Sequence, residues 1–153
     1  MQKQNLSIAY GETLYTGFSF EGLPLPAALM VASQQIDQVA DQARAAVIGD
    51  PLRAVEYQLA EQEAKAFAAA GFGGDTPPTV QAWVDAAGLE PRAAAESILA
   101  EAEAWQGALY AIRAARLKGK QAVLKATSHE QAEGFADTAI DAIRASVVGV
   151  GNA

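Results

Sequence analysis

Histidine and acidic residues are the side chains of this sequence that could support catalysis or bind a metal ion. The chain of 153 residues has one histidine, His129, and no cysteine, which excludes disulfides, zinc–thiolate sites and cysteine nucleophiles. His129 lies in the predicted capping turn of a helix, where we expect it to be exposed and without the partner that a general base needs. A single histidine also disfavours the usual transition-metal sites. The sequence therefore predicts no catalytic site, no metal site and no bound cofactor.

The acidic pairs have a spacing that separates their carboxylates on a helix. Glu61 and Glu63 are two residues apart, as are Glu101 and Glu103. Residues three or four apart share a helix face, whereas residues two apart point in different directions. We therefore interpret these pairs as solvated charges rather than as metal ligands.

A glycine-rich stretch, GFGGD at 71–75, has the composition of a phosphate-binding loop. It lacks the Lys-Ser/Thr ending of a P-loop, and no strand is predicted before it. We interpret it as the C-terminal cap of a helix followed by a flexible turn.

Residues 80–99, VQAWVDAAGLEPRAAAESIL, suggest a DNA-binding alternative, because two predicted helices flank Gly88 as in a helix-turn-helix. The early turns of the second helix offer one cation, Arg92, followed by alanines and Glu96. These are poor contacts for phosphates or base edges. The basic residues at 113–125 are better explained as complements to the negative end of a helix dipole. We keep a small DNA-binding regulator as the alternative and expect no nucleic-acid partner.

Protein binding is the function that remains, and the stretch NLSIAYGETLYTGFSFEG at 5–22 is its strongest sign. Apolar side chains fall on even positions and mostly small or polar ones on odd positions, with Tyr15 the exception. This period of two predicts strand. A lone hairpin is marginally stable in water, so its apolar face must lie on the chain's own helices or on another molecule. We predict an interface formed by Leu6, Ile8, Tyr10, Leu14, Phe18 and Phe20.

The turn in the middle of this arm decides its register. A two-residue loop would pair Tyr10 with Thr13 and place the later phenylalanines on the wrong face. A three-residue loop would pair Tyr10 with Leu14 and Leu6 with Phe18, so that one face stays apolar. A single extended strand would also keep the parity.

After the arm the sequence predicts helices with apolar residues at steps of three and four. Glycines end them, and prolines begin them. They cover about 26–48, 51–70, 76–87, 90–126 and 127–148. The fourth, of roughly 35 residues, would be about 50 Å long, and Gly107 and Gly119 are positions at which it could bend. The fold class is therefore mainly α, helical hairpins or a bundle with one long helix and an N-terminal β-type arm.

We divide the chain into an arm at 1–25, a helical domain at 26–148 and a flexible tail at 149–153. No apolar run approaches the roughly 18 residues that span a bilayer, so we expect no membrane partner. Charged residues make up 19% of the chain, below the roughly 25% usual for soluble domains, which suits a surface partly covered by a partner. Trp83 and Trp105 are interpreted first as core; exposed, either would anchor an interface, and we add Trp105 to the interface residues.

The stretch 50–126 resembles small helical proteins encoded in the tail-gene region of bacterial viruses, near the tail fibre genes. The residues that carry the resemblance are DPLRAVEYQLAEQEAKAF, GFGGDTPPTVQAWVDAAG, and AAAESILAEAEAW followed by IRAARLKGKQAV. The resemblance covers about half of the chain. It implies a non-enzymatic fibre-assembly helper or an accessory piece of the tail or baseplate, in the virion or in the host cytoplasm during assembly. Its partners would be other viral tail or fibre proteins.

We also expect a homo-oligomer, since closed symmetric assemblies are the rule for soluble homo-oligomers. If the arm serves a partner, deleting residues 1–22 should leave helical circular dichroism and melting nearly unchanged. The same deletion should abolish partner binding or self-assembly.

Overall fold

The computed structural model of the protein describes residues 1–150, which form a hairpin of two strands followed by five helices. The strands are β1, Leu6–Tyr10, and β2, Thr13–Phe18; the helices are α1, Leu25–Ile48, α2, Pro51–Ala69, α3, Pro78–Ala87, α4, Pro91–Leu124, and α5, His129–Ala145. This confirms the predicted fold class, mainly α with an N-terminal β-type arm. Most of the predicted flexible tail at 149–153 lies outside the described residues.

Local signals in the sequence account for the helix boundaries. The Asp50 carboxylate accepts the Leu52 N–H at 2.8 Å at the start of α2, and the Ser128 hydroxyl accepts the Gln131 N–H at 3.2 Å at the start of α5. Each satisfies a backbone donor that has no partner within its helix. Gly88 ends α3 in the left-handed conformation, with φ 65°. α4 passes Gly107 and Gly119 as one helix of 34 residues.

The described residues group into two compact units, and the boundary between them falls within α1 and within α4. The first unit comprises Met1–Ala46 and Leu109–Gly149, so it includes the arm; the second comprises Val47–Ala108. The largest fully buried side chains of the first unit are Phe20, Ile36, Ile112, Val123, Ile140 and Ile143. The core of the second unit is Ala64, Phe67, Val80, Ala94 and Ala95, with Phe72 and Ile98 packed against it.

The hairpin has a two-residue turn at Gly11 and Glu12, which places Tyr10 opposite Thr13, so the predicted three-residue loop is wrong. Gly11 takes φ 59° at the first turn position, as the tight hairpin turns require. A bulge at Gly17, with φ 76°, then adds one residue to β2 and brings Phe18 opposite Leu6. The bulge therefore restores the expected pairing of Leu6 with Phe18, whereas Tyr10 pairs with Thr13 and not with Leu14.

Candidate protein-binding surface

The base of the hairpin is packed within the first unit. Leu6, Ile8 and Phe20 are 5%, 6% and 1% exposed, although all three were expected to face a partner. The Phe20 ring stands edge-on to the ring of His129, with centroids 5.7 Å apart. Their burial removes these three residues from the predicted interface, because a partner cannot reach them. Because these side chains are buried, we now expect deletion of residues 1–22 to destabilise the first unit.

The residues before β1 add polar contacts between the arm and the helices of the same unit. The contacts are the Met1 ammonium with Asp137, Lys3 Nζ with Glu133 Oε1 at 2.6 Å, and the Gln2 N–H with Gln35 Oε1 at 2.7 Å. The hydrogen bond from Lys3 to Glu133 raises the pKa of Lys3 above its ordinary value. The arm is thus anchored at its base to α1 and α5.

His129 contributes to this anchoring. Its side chain is half-buried rather than exposed, because it is the first residue of α5 and packs beneath Phe20. Its Nε2–H donates to the carbonyl oxygen of Leu23 at 2.9 Å, which ties α5 to the segment before α1. The ring therefore has a structural hydrogen bond and an aromatic contact.

The rest of the hairpin exposes apolar side chains. Tyr10, Leu14 and Phe18 are 38%, 71% and 40% exposed. These three side chains do not lie on one face of the hairpin, although the sequence predicted that they would. Leu14 lies opposite Ala9, whereas Ile8 lies opposite Tyr15, so Leu14 points to the side of the hairpin that faces away from the buried Ile8. Tyr10 and Leu14 are therefore exposed next to the turn on opposite faces of the hairpin.

Each strand of the hairpin also has an unpaired edge. The sheet formed by the described residues contains β1 and β2 alone, so one row of backbone N–H and C=O groups on each strand has no strand partner. Such an edge can accept a further strand from another chain. The hairpin thus offers both backbone hydrogen bonds and apolar side chains.

Trp105 lies in the second unit and is half-buried. Its indole N–H donates to the Val47 carbonyl at 3.2 Å, and its ring meets the Tyr57 ring edge-on at 6.5 Å. The interface role of Trp105 stays a prediction, although its polar atom is already bonded within the unit. Trp83 is 38% exposed on α3, so the expectation that it belongs to the core is only partly met.

The two glutamates of the acidic pair on α2 were expected to be solvated, but both accept hydrogen bonds from other side chains of the second unit. Glu61 accepts hydrogen bonds from Lys65 and, at 2.8 Å, from Gln106, and the bond from Lys65 is the main reason that the pKa of Glu61 is lowered. Glu63 accepts the Thr79 hydroxyl at 2.6 Å and the Thr79 N–H at 2.9 Å, which lower its pKa. These carboxylates join helices of the second unit.

The remaining motifs also have structural roles. The Phe72 N–H in the glycine-rich turn donates to the Phe67 carbonyl at 2.9 Å, and the two rings meet edge-on, which makes this stretch a helix cap, as predicted. Arg92, the cation of the helix-turn-helix alternative, pairs with Glu96 at 2.8 Å and lies over the Phe72 ring at 4.9 Å. The Arg92 guanidinium therefore already has an ion pair and an aromatic contact within the second unit.

Residues 1–150 contain no group of three or more acidic or histidine side chains placed to hold a metal ion. No helix within that range is both long and apolar enough to cross a membrane. Comparison of the chain with protein-family models, curated proteins and solved structures finds no match.

Proposed function

We propose that this chain is a non-enzymatic structural or assembly protein of a bacterial virus tail, near the tail fibre or baseplate, which acts by protein contact. In this proposal the N-terminal hairpin binds another tail protein, and copies of the chain associate with one another. The tail assignment follows the resemblance of residues 50–126, and the single observation that carries the binding role is the division of the hairpin into a buried base and an exposed outer part. Leu6 and Ile8 are buried, whereas Leu14 is 71% exposed.

This division supports binding because the base is held in place by contacts with the helices, while the outer part is accessible to a partner. The base is held by Phe20 and by the ion pair between Lys3 and Glu133, so the outer part is presented without the usual cost of ordering a loose segment. Tyr10 adds a large amphipathic ring of the kind enriched in binding hot spots. The free strand edges allow a partner segment to pair in extended form, with Leu14 beside it.

The test is a binding assay with the full-length chain and purified tail fibre and baseplate proteins from the same genome. The variant Tyr10→Ser with Leu14→Asp removes the two exposed apolar side chains next to the turn and leaves Phe18 and the buried base intact. The control is Val148→Ser, which changes an apolar residue far along the chain that is 81% exposed, more than either Tyr10 or Leu14. We expect the hairpin variant to lose binding by about tenfold or more and the control to bind like the wild type.

Two outcomes would overturn the proposal. One is the absence of binding between the wild-type chain and any of these purified proteins. The other is a hairpin variant, folded by circular dichroism, that binds as tightly as the control.

A further inference from the structure

Two exposed apolar stripes lie on helices of different units and have no covering residues in the described chain. The α2 stripe consists of Leu52, Val55 and Leu59, which are 75%, 62% and 50% exposed. The α4 stripe consists of Tyr110, Leu117 and Leu124, which are 71%, 42% and 54% exposed. Single exposed apolar residues are ordinary, but an aligned set on one helix face indicates a contact surface.

The two stripes match in spacing. Leu52 and Leu59 are seven residues apart on α2, and Tyr110, Leu117 and Leu124 repeat at the same interval on α4. Seven residues are nearly two helical turns, so each set lies along one line of its helix, about 10 Å between successive members. A repeat of seven is the spacing at which side chains of one helix enter the holes of another.

The charges beside the stripes are opposite. Arg113 flanks the α4 stripe on one side, and Lys118 and Lys125 flank it on the other; all three are exposed and without an ion pair among the described residues. Glu56 lies along one edge of the α2 stripe, and Glu63, which accepts hydrogen bonds from Thr79, continues that edge one helical turn beyond Leu59. Arg53 lies on the same side of α2 as Glu56 but further around the helix from the α2 stripe. Residues 91–126 carry a net charge of +3 and residues 51–90 a net charge of −4.

These charges disfavour contact between identical stripes. Two α4 stripes facing each other would place Lys118 and Lys125 against cations of the second copy, and two α2 stripes would bring the Glu56 carboxylates together. Like charges across an interface cost affinity, whereas opposite charges steer association. The α2 stripe is therefore complementary in charge to the α4 stripe and not to a second α2 stripe.

A groove beside the α4 stripe extends the surface that an incoming helix would meet. It has a volume of about 530 Å³ and is lined by Gln121, Ala122, Lys125 and Phe135, together with Lys118 and Gln131. Phe135 on α5 is 40% exposed, so the groove combines an apolar wall with two lysines. Such a lining suits a helix that carries leucines beside carboxylates.

We propose that the α2 stripe of one copy docks on the α4 stripe of a second copy of this chain. This inference rests on the self-association in the proposed function and names the two surfaces that make it. The contact joins different surfaces, so in a pair one copy keeps a free α4 stripe and the other a free α2 stripe, and each can bind a further copy. Contacts of this type build a ring if the rotation closes and a filament if it does not.

The test uses two full-length variants that each disable one stripe. Leu52→Ser with Leu59→Ser changes α2, and Tyr110→Ser with Leu124→Ser changes α4; the chosen residues are at least 50% exposed, so both variants should fold. Light scattering coupled to size exclusion measures mass against the chain mass of 15.9 kDa. We expect the wild type to form oligomers whose mass rises over about a hundredfold range of concentration, and each variant alone to be monomeric.

Mixing the two variants is the decisive step. The α2 stripe of the α4 variant can still meet the α4 stripe of the α2 variant, so the mixture should form a dimer with one copy of each and nothing larger. If one variant alone still assembles like the wild type, or if the mixture stays monomeric, the pairing of α2 with α4 is wrong. A monomeric wild type would overturn this inference and the self-association together.

The hairpin variant Tyr10→Ser with Leu14→Asp is the matched control, because it removes exposed apolar side chains elsewhere in the first unit. It should assemble like the wild type. Conversely, both stripe variants should keep their binding to purified tail proteins. Loss of assembly in the hairpin variant would show that the hairpin rather than the stripes joins the copies.

Discussion

Gly119 on α4 faces Ala139 on α5 so closely that there is no room for a side chain between them. A Cβ atom added to Gly119 would overlap the Cβ of Ala139 and lie 3.3 Å from Ile36 Cδ1. The Ala139 methyl group is fixed to its helix, so the backbones of α4 and α5 would have to move apart. Glycine here is a requirement of helix contact and not the bend that its position in the long helix suggested.

We predict that Gly119→Ala destabilises the protein by about 1–3 kcal/mol, as for other overpacked cores. Urea or thermal unfolding measures the change. The matched control is Gly107→Ala on the same helix, where an added Cβ meets nothing within 4 Å. Because alanine favours helix over glycine by about 1 kcal/mol, the control should be neutral or stabilising. Equal effects of the two changes would contradict the close contact.

Phe20→Ala should be among the most damaging single changes in the chain. Phe20 is 1% exposed and contacts His129, and removal of a buried phenylalanine typically costs about 3–5 kcal/mol. Leu14→Ala, at an exposed position of the same hairpin, should change stability by about 0.5 kcal/mol or less. Chemical denaturation of both variants checks the contrast. A small loss of stability in Phe20→Ala would indicate that the arm contributes little to the stability of the first unit.

Asp37→Asn should weaken the contact between α1 and α4. Asp37 accepts a hydrogen bond from Arg116 at 2.9 Å and another from Lys120. Burial of the carboxylate opposes its ionisation, but the hydrogen bonds and charges of these two cations outweigh it, so the pKa of Asp37 lies below its ordinary value. Since the side chain is 33% exposed, we expect a loss of only about 1 kcal/mol at neutral pH.

The pH dependence of this effect has a definite sign. A carboxylate with a lowered pKa in the folded state stabilises the fold above its unfolded pKa, about 3.9, and loses that contribution as the pH falls through the folded value. The difference in unfolding free energy between wild type and Asp37→Asn should therefore be constant near pH 7 and shrink below about pH 4. Asp41→Asn, which changes a carboxylate of α1 that is 69% exposed, should show no comparable difference.

Gly17→Ala should disturb the bulge in the hairpin. Gly17 has φ 76°, a left-handed conformation that costs other residues about 1–2 kcal/mol. The same substitution at Gly134 in α5 has open space around it and a helical backbone, so it should be neutral or stabilising. Thermal unfolding compares the two variants. An unchanged melting temperature for Gly17→Ala would mean that the register forms without the bulge.

Local patterns were sufficient to predict the elements of this fold. The period of two in residues 6–18, the Asp-Pro start of α2 and the glycine that ends α3 each depend on neighbours in sequence, and the strands and five helices appear where those signals lie. Backbone geometry and capping are short-range, so they can be inferred without knowing what packs against what. The sequence predicted in the same way that the hairpin would carry apolar side chains.

Only the tertiary structure decided which of those side chains are free. Leu6 and Leu14 have the same parity and similar chemistry, yet one is buried and the other is 71% exposed, because the two-residue turn places them on opposite faces of the hairpin. On α2, the apolar residues Leu52 and Phe67 differ likewise in burial, since Leu52 is 75% exposed and Phe67 is 5% exposed. Burial depends on contacts between residues far apart in the chain, such as Phe20 with His129, and the local pattern of a helix or strand does not specify them.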